Sequence, residues 1–364
     1  MRRYIIERDR LADNVDILRQ EMGGAAIYGV LKVDGYGLGL APLAKVMAER
    51  GIDRFAITEP EDVQRVIDTG IPMRELLLLT PVNSPELAER LLATERVTFA
   101  IGSPAEGRLL EEAGLRLGLK PRVHVQIETG LGRFGVSWDK PADIRAMYES
   151  FPALEIVGTY THFSGEKIER QFGRFQEVLR ALEAWGVDPG LRHCCSSAAA
   201  LLHPSMRLDG VRLGSAFLGR AAGCQALGLH VIGYCQCELQ TVRTVRAGQS
   251  VGYGGMFRTR QDRKVAIVNI GAVNGLGGVA NCGIRSASAG FKELLRTASA
   301  MWKRRAPTAV VNGSAAPVLG RIYSECAALD VTGIDCKPGD LAKLPLNPLY
   351  VKDMDLVWQE AAAE

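Results

Sequence analysis

Lys32 sits in Ala25-Ala26-Ile27-Tyr28-Gly29-Val30-Leu31-Lys32-Val33-Asp34-Gly35-Tyr36-Gly37, where an apolar run stops at a lysine and a glycine-rich turn with a tyrosine follows. An ammonium at the end of a buried strand is costly unless it is paired or used. Burial lowers a lysine pKa, and the neutral amine that results can attack a carbonyl, the chemistry of a Schiff-base lysine. The alternative is a lysine just past the strand end, snorkelling into water. Further polar groups interrupt the apolar pattern downstream. Arg133 lies in Glu128-Thr129-Gly130-Leu131-Gly132-Arg133-Phe134-Gly135, His162 and His193 close apolar runs, Ser196-Ser197 follow, and Arg212 precedes Leu213-Gly214-Ser215. Ser197 before Ala198-Ala199-Ala200, with the amides of Gly214 and Ser215, could receive a phosphate; ordinary capping of a structural helix is the alternative for Ser197. A phosphate cradle plus a strand-end lysine suggests pyridoxal 5′-phosphate (PLP), with the lysine as imine partner and the ring as electron sink for an amino-acid carbanion.

These groups need a scaffold that brings them to one end. Short apolar runs at 25–33, 54–58, 75–80, 97–101, 122–128, 155–162, 191–195 and 208–212 alternate with amphipathic segments at 40–50, 60–69, 84–94, 104–114, 141–150 and 168–185. Continuous rather than alternating apolar character suits parallel strands buried on both faces. Pro60, Pro85, Pro104 and Pro141 fit first-turn helix positions. Eight strands with intervening helices is the count of a (β/α)8 barrel, whose functional groups sit at the C-terminal ends of the strands. A doubly wound sheet has the same local pattern. After Gly219 the pattern changes to strand-like runs at 231–245, 264–270, 309–311, 317–322 and 327–331, with Asn312-Gly313 a hairpin-type turn, and a helical, basic stretch at 291–304. The expected organisation is a (β/α)8 barrel over residues 1–220 and a mainly β domain over 221–364.

With 364 residues, two domains are the prior. A net charge of +3 is too small to argue for nucleic acid or a membrane surface, and no apolar run is long enough to span a bilayer. The N-terminus has two arginines and no apolar h-region, so no signal peptide is expected. The eight cysteines include no C-x-x-C pair of zinc type, so no metal site is expected and reduced thiols in a cytoplasmic protein are.

The ordered set of motifs resembles the alanine racemase family. Leu31–Gly37 is similar to its lysine motif, 123–135 to its TGxGRxG stretch, Thr161-His162-Phe163 to its THF, 193–199 to its HxxNSA with Ser196 in place of asparagine, and 209–214 to its DxVRPG. In the second half, Val251-Gly252-Tyr253-Gly254-Gly255 resembles VSYGG, while Gly320-Arg321-Ile322 and Asp330-Val331-Thr332 resemble GRxxMDxxxxDVT. The resemblance implies a PLP-dependent, two-base amino-acid racemase acting as a homodimer. Lys32 would form the imine and be the base on one face, and Tyr253 of the second domain the base on the other, reaching in from the partner subunit. Tyr36, Ser197, Gly214 and Ser215 would hold the phosphate, and His162 would lie against the pyridine ring. Arg212, buttressed by His193, would contact the ring nitrogen, and Arg133 would contact the phenolic oxygen and orient the carboxylate.

The sequence also departs from the family. Gln126 stands where many members have a lysine that can carry a carbamate, so Arg133 would be oriented by the amide or a bound anion. Ser324 replaces a methionine that seats the carboxylate, with Glu325 for the usual aspartate, and Ala272 replaces a tyrosine that narrows the entrance. Tyr350 is a candidate for another phosphate-contacting tyrosine. The lost bulk suggests a substrate larger or more polar than alanine. A PLP-dependent decarboxylase on the same fold and a non-catalytic PLP-binding protein are the alternatives. Arg212 at the ring nitrogen opposes the first, and Tyr253 with the second domain opposes the second.

Overall fold

The computed structural model describes residues 1–165, 167–252, 254, 256–277 and 307–360. The chain divides into two compact units, Arg8–Ile232 and a second built from Met1–Glu7 with Gly233–Glu364.

The first unit is a closed barrel of eight parallel strands. In chain order these are Ala26–Val30, Arg54–Ile57, Glu75–Leu78, Val97–Ile101, Arg122–Glu128, Glu155–Thr161, Leu191–Ser196 and Gly210–Leu213. Each pairs with the next, and the eighth returns to the first. The doubly wound alternative is thereby excluded. Burial on both faces explains the continuous apolar runs: Leu76, Leu77, Leu78 and Phe55, Ala56, Ile57 are all fully buried. Helices start where the sequence places caps: the Ser84 and Ser103 hydroxyls accept from Leu87 and Glu106 amides at 3.2 and 3.3 Å, each followed by a proline in the first turn. Pro60 lies ahead of its helix, which begins at Asp62.

Two elements escape the sequence pattern. The helix Arg8–Met22 belongs to the barrel unit. Its Asn14 is fully buried, donating to the Phe217 and His230 carbonyls at 2.8 Å and accepting from the His230 amide. The strand Arg2–Glu7 belongs to the other unit, antiparallel to Tyr234–Val245 and parallel to Asp355–Gln359.

In that second unit the antiparallel pairings form a closed ring of six strands: Tyr234–Val245, Arg263–Val268, Ala327–Asp330, Ser314–Leu319, Thr308–Val311 and Leu341–Leu344. Val245, Val251, Val265, Leu319 and Ala328 form a core cluster of this unit. The Asn312-Gly313 turn has positive φ at both residues, as the tight hairpin requires. The helix expected at 291–304 lies outside the described residues. Among the described residues no helix is long and apolar enough to cross a membrane, and the seven described cysteines are free thiols, all buried but Cys326.

Candidate active site at the barrel mouth

The first barrel strand ends at Val30, so Lys32 is not its last residue but the first of a left-handed turn. Val33, Asp34, Gly35, Tyr36 and Gly37 all have positive φ. The non-glycine residues among them, a β-branched valine included, cost roughly 1–2 kcal/mol each in this conformation and persist only when surrounding structure fixes them. The fixing bonds are present. Asp34 Oδ1 accepts from the Leu40 amide at 3.1 Å and from Arg65, and Gly37 N donates to the Val33 carbonyl at 2.9 Å. A right-handed continuation would carry Tyr36 elsewhere; this turn buries its ring and sets the Lys32 ammonium 5.7 Å from the ring centroid. The Lys32 side chain is exposed at the mouth, yet protein surrounds its ammonium closely enough that desolvation, then the like charge of Arg133, lowers its pKa below the ordinary lysine value.

Across the turn lies Gly214. A β-carbon there would stand 1.8 Å from the Tyr36 hydroxyl oxygen. Ser197 joins the pair from the next loop, its hydroxyl accepting from the Gly214 amide at 3.0 Å and the Ala216 amide at 3.2 Å. Ser197 is the first residue of a short helix, and its hydroxyl bonds to this neighbouring loop rather than capping that helix. Tyr36, Ser197 and Gly214 therefore form one cradle of two hydroxyls against a bare backbone, with Ser215 next in the chain. Burial raises the Tyr36 pKa, keeping it a hydrogen-bond donor. Close backbone approach with hydroxyl donors is the chemistry a phosphate needs, so these residues fit that end of PLP.

Arg212 is 3% exposed and donates in several directions. Nη1 meets His193 Nδ1, while Nη2 reaches the Thr161 carbonyl at 2.8 Å, the Cys194 carbonyl at 3.3 Å and His162 Nδ1 at 3.3 Å. Its guanidinium lies over the Tyr160 ring at 5.0 Å. The sequence-predicted pair Arg212–His193 is thus in contact, and His162 joins it. Burial, then the charges of Arg212, Arg133 and Lys32, lower the His162 pKa to about 3, so its imidazole is neutral.

That shift carries a pH consequence. Unfolded, His162 takes a proton near the ordinary value of 6.5; folded, it does so only at about 3. Within this window the unfolded state binds more protons, so stability falls as pH drops. Replacing His162 by glutamine is expected to reduce the loss of unfolding free energy between pH 7.5 and pH 5, read by urea titration, by on the order of 1–2 kcal/mol. Identical losses in both proteins would contradict the assignment. Part of the slope should remain, because burial also holds the His193 pKa well below the ordinary value.

Arg133 projects from an exposed loop ordered by the Glu128 carboxylate, which accepts from four successive amides: Gly130, Leu131 at 2.6 Å, Gly132 at 2.8 Å and Arg133 at 3.3 Å. Among the described residues no hydrogen bond joins Gln126 to Arg133. Gln126 is 2% exposed, and its Oε1 accepts from the Tyr160 hydroxyl at 2.9 Å.

The barrel interior holds polar residues that the sequence pattern did not single out. His193 lies between two tyrosines, Tyr28 (5.2 Å, 21°) and Tyr160 (4.9 Å, 14°). Its Nε2 is 2.9 Å from His124 Nδ1, and His124 Nε2 lies 3.0 Å from Glu75 Oε1. Tyr28 donates to the other Glu75 oxygen at 2.8 Å. Desolvation raises the Glu75 pKa, but His124, Tyr28 and Arg122 outweigh it, and the carboxyl titrates below its ordinary value. The available signal was the polar residue inside an apolar strand, as in Val123-His124-Val125, which must be satisfied internally.

Ser324 and Ala272 lie in the second unit. The Ala272 amide donates to the Tyr323 carbonyl at 2.8 Å and the Val273 amide to the Ser324 carbonyl at 3.0 Å, so the two family departures are neighbours. Tyr350 adjoins them, its carbonyl 2.4 Å from where a Gly275 β-carbon would stand. Tyr253 lies outside the described residues.

Comparison with known proteins bears on the whole chain. The family model for the alanine racemase N-terminal domain matches residues 6–222, and that for the C-terminal domain matches residues 234–347. The alanine racemase of Salinispora tropica is 30% identical over 287 residues, covering 74% of each chain. That of Desulfovibrio desulfuricans is 27% identical over 320 residues, covering 85% of this chain and 79% of the relative. Among solved structures, the alanine racemase from D-cycloserine producing Streptomyces lavendulae superposes with a TM-score of 0.79 at 24% identity, covering 99% of this chain and 97% of the other. At that identity the likeness speaks for the fold.

Proposed function

The chain belongs to the alanine racemase family and is an amino-acid racemase, and from that premise we propose that it interconverts the enantiomers of an amino acid with PLP as cofactor and two protein bases. The observation that carries the cofactor assignment is the cradle in which a Gly214 β-carbon would overlap the Tyr36 hydroxyl. Bound there, PLP supplies an electron sink that stabilises negative charge at the substrate α-carbon.

The residues divide the remaining work. Lys32 Nζ, with its lowered pKa, holds the cofactor covalently and carries a proton on one face. Tyr253 carries the proton on the opposite face through its phenol oxygen, and the C-terminal domain of a partner subunit supplies it in a homodimer. Racemisation needs both, since a proton leaves one face of a planar centre and returns to the other. Tyr36, Ser197 and Ser215 would hold the phosphate, with side-chain-free Gly214 leaving room for it while its own amide donates to the Ser197 hydroxyl, and His162 would face the ring. Arg212 Nε makes no hydrogen bond among the described residues and is a donor available to a ring nitrogen. An arginine donates that bond without giving up its proton, which moderates the sink and disfavours side reactions. Arg133 orients the substrate carboxylate. The free thiols fit a reducing cytoplasm.

The neighbouring Ala272 and Ser324 favour a substrate with a larger or more polar side chain than alanine, because both positions lose bulk relative to the family. A panel of L-amino acids read by enantiomer-resolving chromatography tests this. A bulkier or polar amino acid should turn over at least as fast as alanine. Turnover of alanine alone would contradict the wide-entrance reading and leave the racemase assignment in place.

A further inference from the structure

The Arg212–His193–His124–Glu75 line has a proton order fixed by one fact: a guanidinium only donates. His193 Nδ1 faces Arg212 Nη1, so that nitrogen is bare and the proton is on Nε2. Nε2–H faces His124 Nδ1 at 2.9 Å, so Nδ1 of His124 must accept, leaving its proton on Nε2. That last N–H lies 3.0 Å from Glu75 Oε1, off the ideal hydrogen-bond line but in direct electrostatic contact with a carboxylate. Glu75 is itself held by the Tyr28 hydroxyl at 2.8 Å and by Arg54 Nε at 3.6 Å. The Tyr28 and Tyr160 rings close both faces of His193.

We propose that Glu75 and His124 are positioning residues for Arg212, carrying a single proton polarity from a buried carboxylate through two neutral imidazoles to the guanidinium. Glu75 opens the third barrel strand and Arg212 lies in the eighth, so the line crosses the barrel core. Without an acceptor below His124, its Nε2–H is left buried and unsatisfied. The proton then shifts to Nδ1, His193 must accept on Nε2, and its Nδ1–H faces the donor Arg212. Reversal of the polarity therefore removes the acceptor of Arg212 Nη1, leaving the guanidinium held through Nη2 alone. Gly158 is part of the device: a β-carbon there would overlap His124 Cε1 at 2.4 Å. The consequence for the cofactor rests on the PLP reading; the proton order does not.

The test is nitrogen-15 NMR of ring-labelled histidines in the cofactor-free protein, which has five histidines, together with equilibrium binding of PLP. In the wild type, His124 and His193 should each be a single neutral Nε2–H tautomer; an Nδ1–H or doubly protonated ring at either position overturns the proposal. Glu75→Leu should mix the His124 tautomers and weaken PLP binding about tenfold, the effect of one charge-assisted hydrogen bond, with Glu75→Gln restoring most of it. Unchanged tautomers and affinity in Glu75→Leu would show a merely structural carboxylate and overturn the idea. If that variant does not fold, Gly158→Ala displaces His124 while keeping every polar group, and unchanged affinity there overturns it equally. Failure of the wild type to bind PLP would defeat the functional reading alone, because the tautomers are read without cofactor.

Discussion

Lys32→Ala is expected to abolish the visible absorption of bound PLP and to lower kcat/KM by about 10⁴-fold or more, because in the proposed function one side chain would supply both the covalent tether and a general base. The fold should not suffer. Lys32 is exposed at the barrel mouth, and the turn that bears it is held by Asp34, Arg65 and backbone bonds, not by the ammonium. Removing a charge that burial and Arg133 disfavour should leave stability within about 0.5 kcal/mol of the wild type. Absorbance, racemisation and thermal melting measured together separate the outcomes. Retained absorbance with full activity would sink the assignment of Lys32.

Gly214→Ala should be almost as damaging for a different reason. Gly214 does not have positive φ, so alanine meets no backbone strain there. The new methyl would stand 1.8 Å from the Tyr36 hydroxyl and 2.5 Å from its ring carbon, and Tyr36 is buried and anchored by its turn. Overpacking of this kind costs about 1–3 kcal/mol of stability. Displacing the hydroxyl should weaken PLP binding by roughly 10- to 100-fold, the range of a hydrogen bond to a charged group. A double-mutant cycle checks the cause. In a Tyr36→Ala background the methyl has room, so Gly214→Ala should add little further loss. Additive losses would mean that the two residues do not act as one cradle.

The barrel was legible because parallel strands buried on both faces leave nearly continuous apolar runs, as in Leu76-Leu77-Leu78 and Phe99-Ala100-Ile101. The strand Arg2–Glu7 was not, because it starts with two arginines and pairs with residues 234–237 and 355–359, far along the chain. The candidate site residues stood out as polar interruptions near strand ends, and three of them, Arg212, His193 and His162, do meet. The left-handed turn after Lys32 was hidden, since no local preference puts valine and tyrosine at positive φ. Glu75 and His124 were hidden for another reason. A histidine or glutamate in a strand reads the same whether it faces solvent or core, and only the closed barrel decides.

The central claim, that two bases flank one α-carbon, is tested most directly by incubating each enantiomer of the best substrate in deuterium oxide with the wild-type protein and with Tyr253→Phe. The account predicts that the wild type interconverts the enantiomers with deuterium at the α-carbon. Tyr253→Phe should lose racemisation while one enantiomer still exchanges its α-proton through Lys32. Racemisation at the wild-type rate by Tyr253→Phe, or no exchange by the wild type, would contradict it.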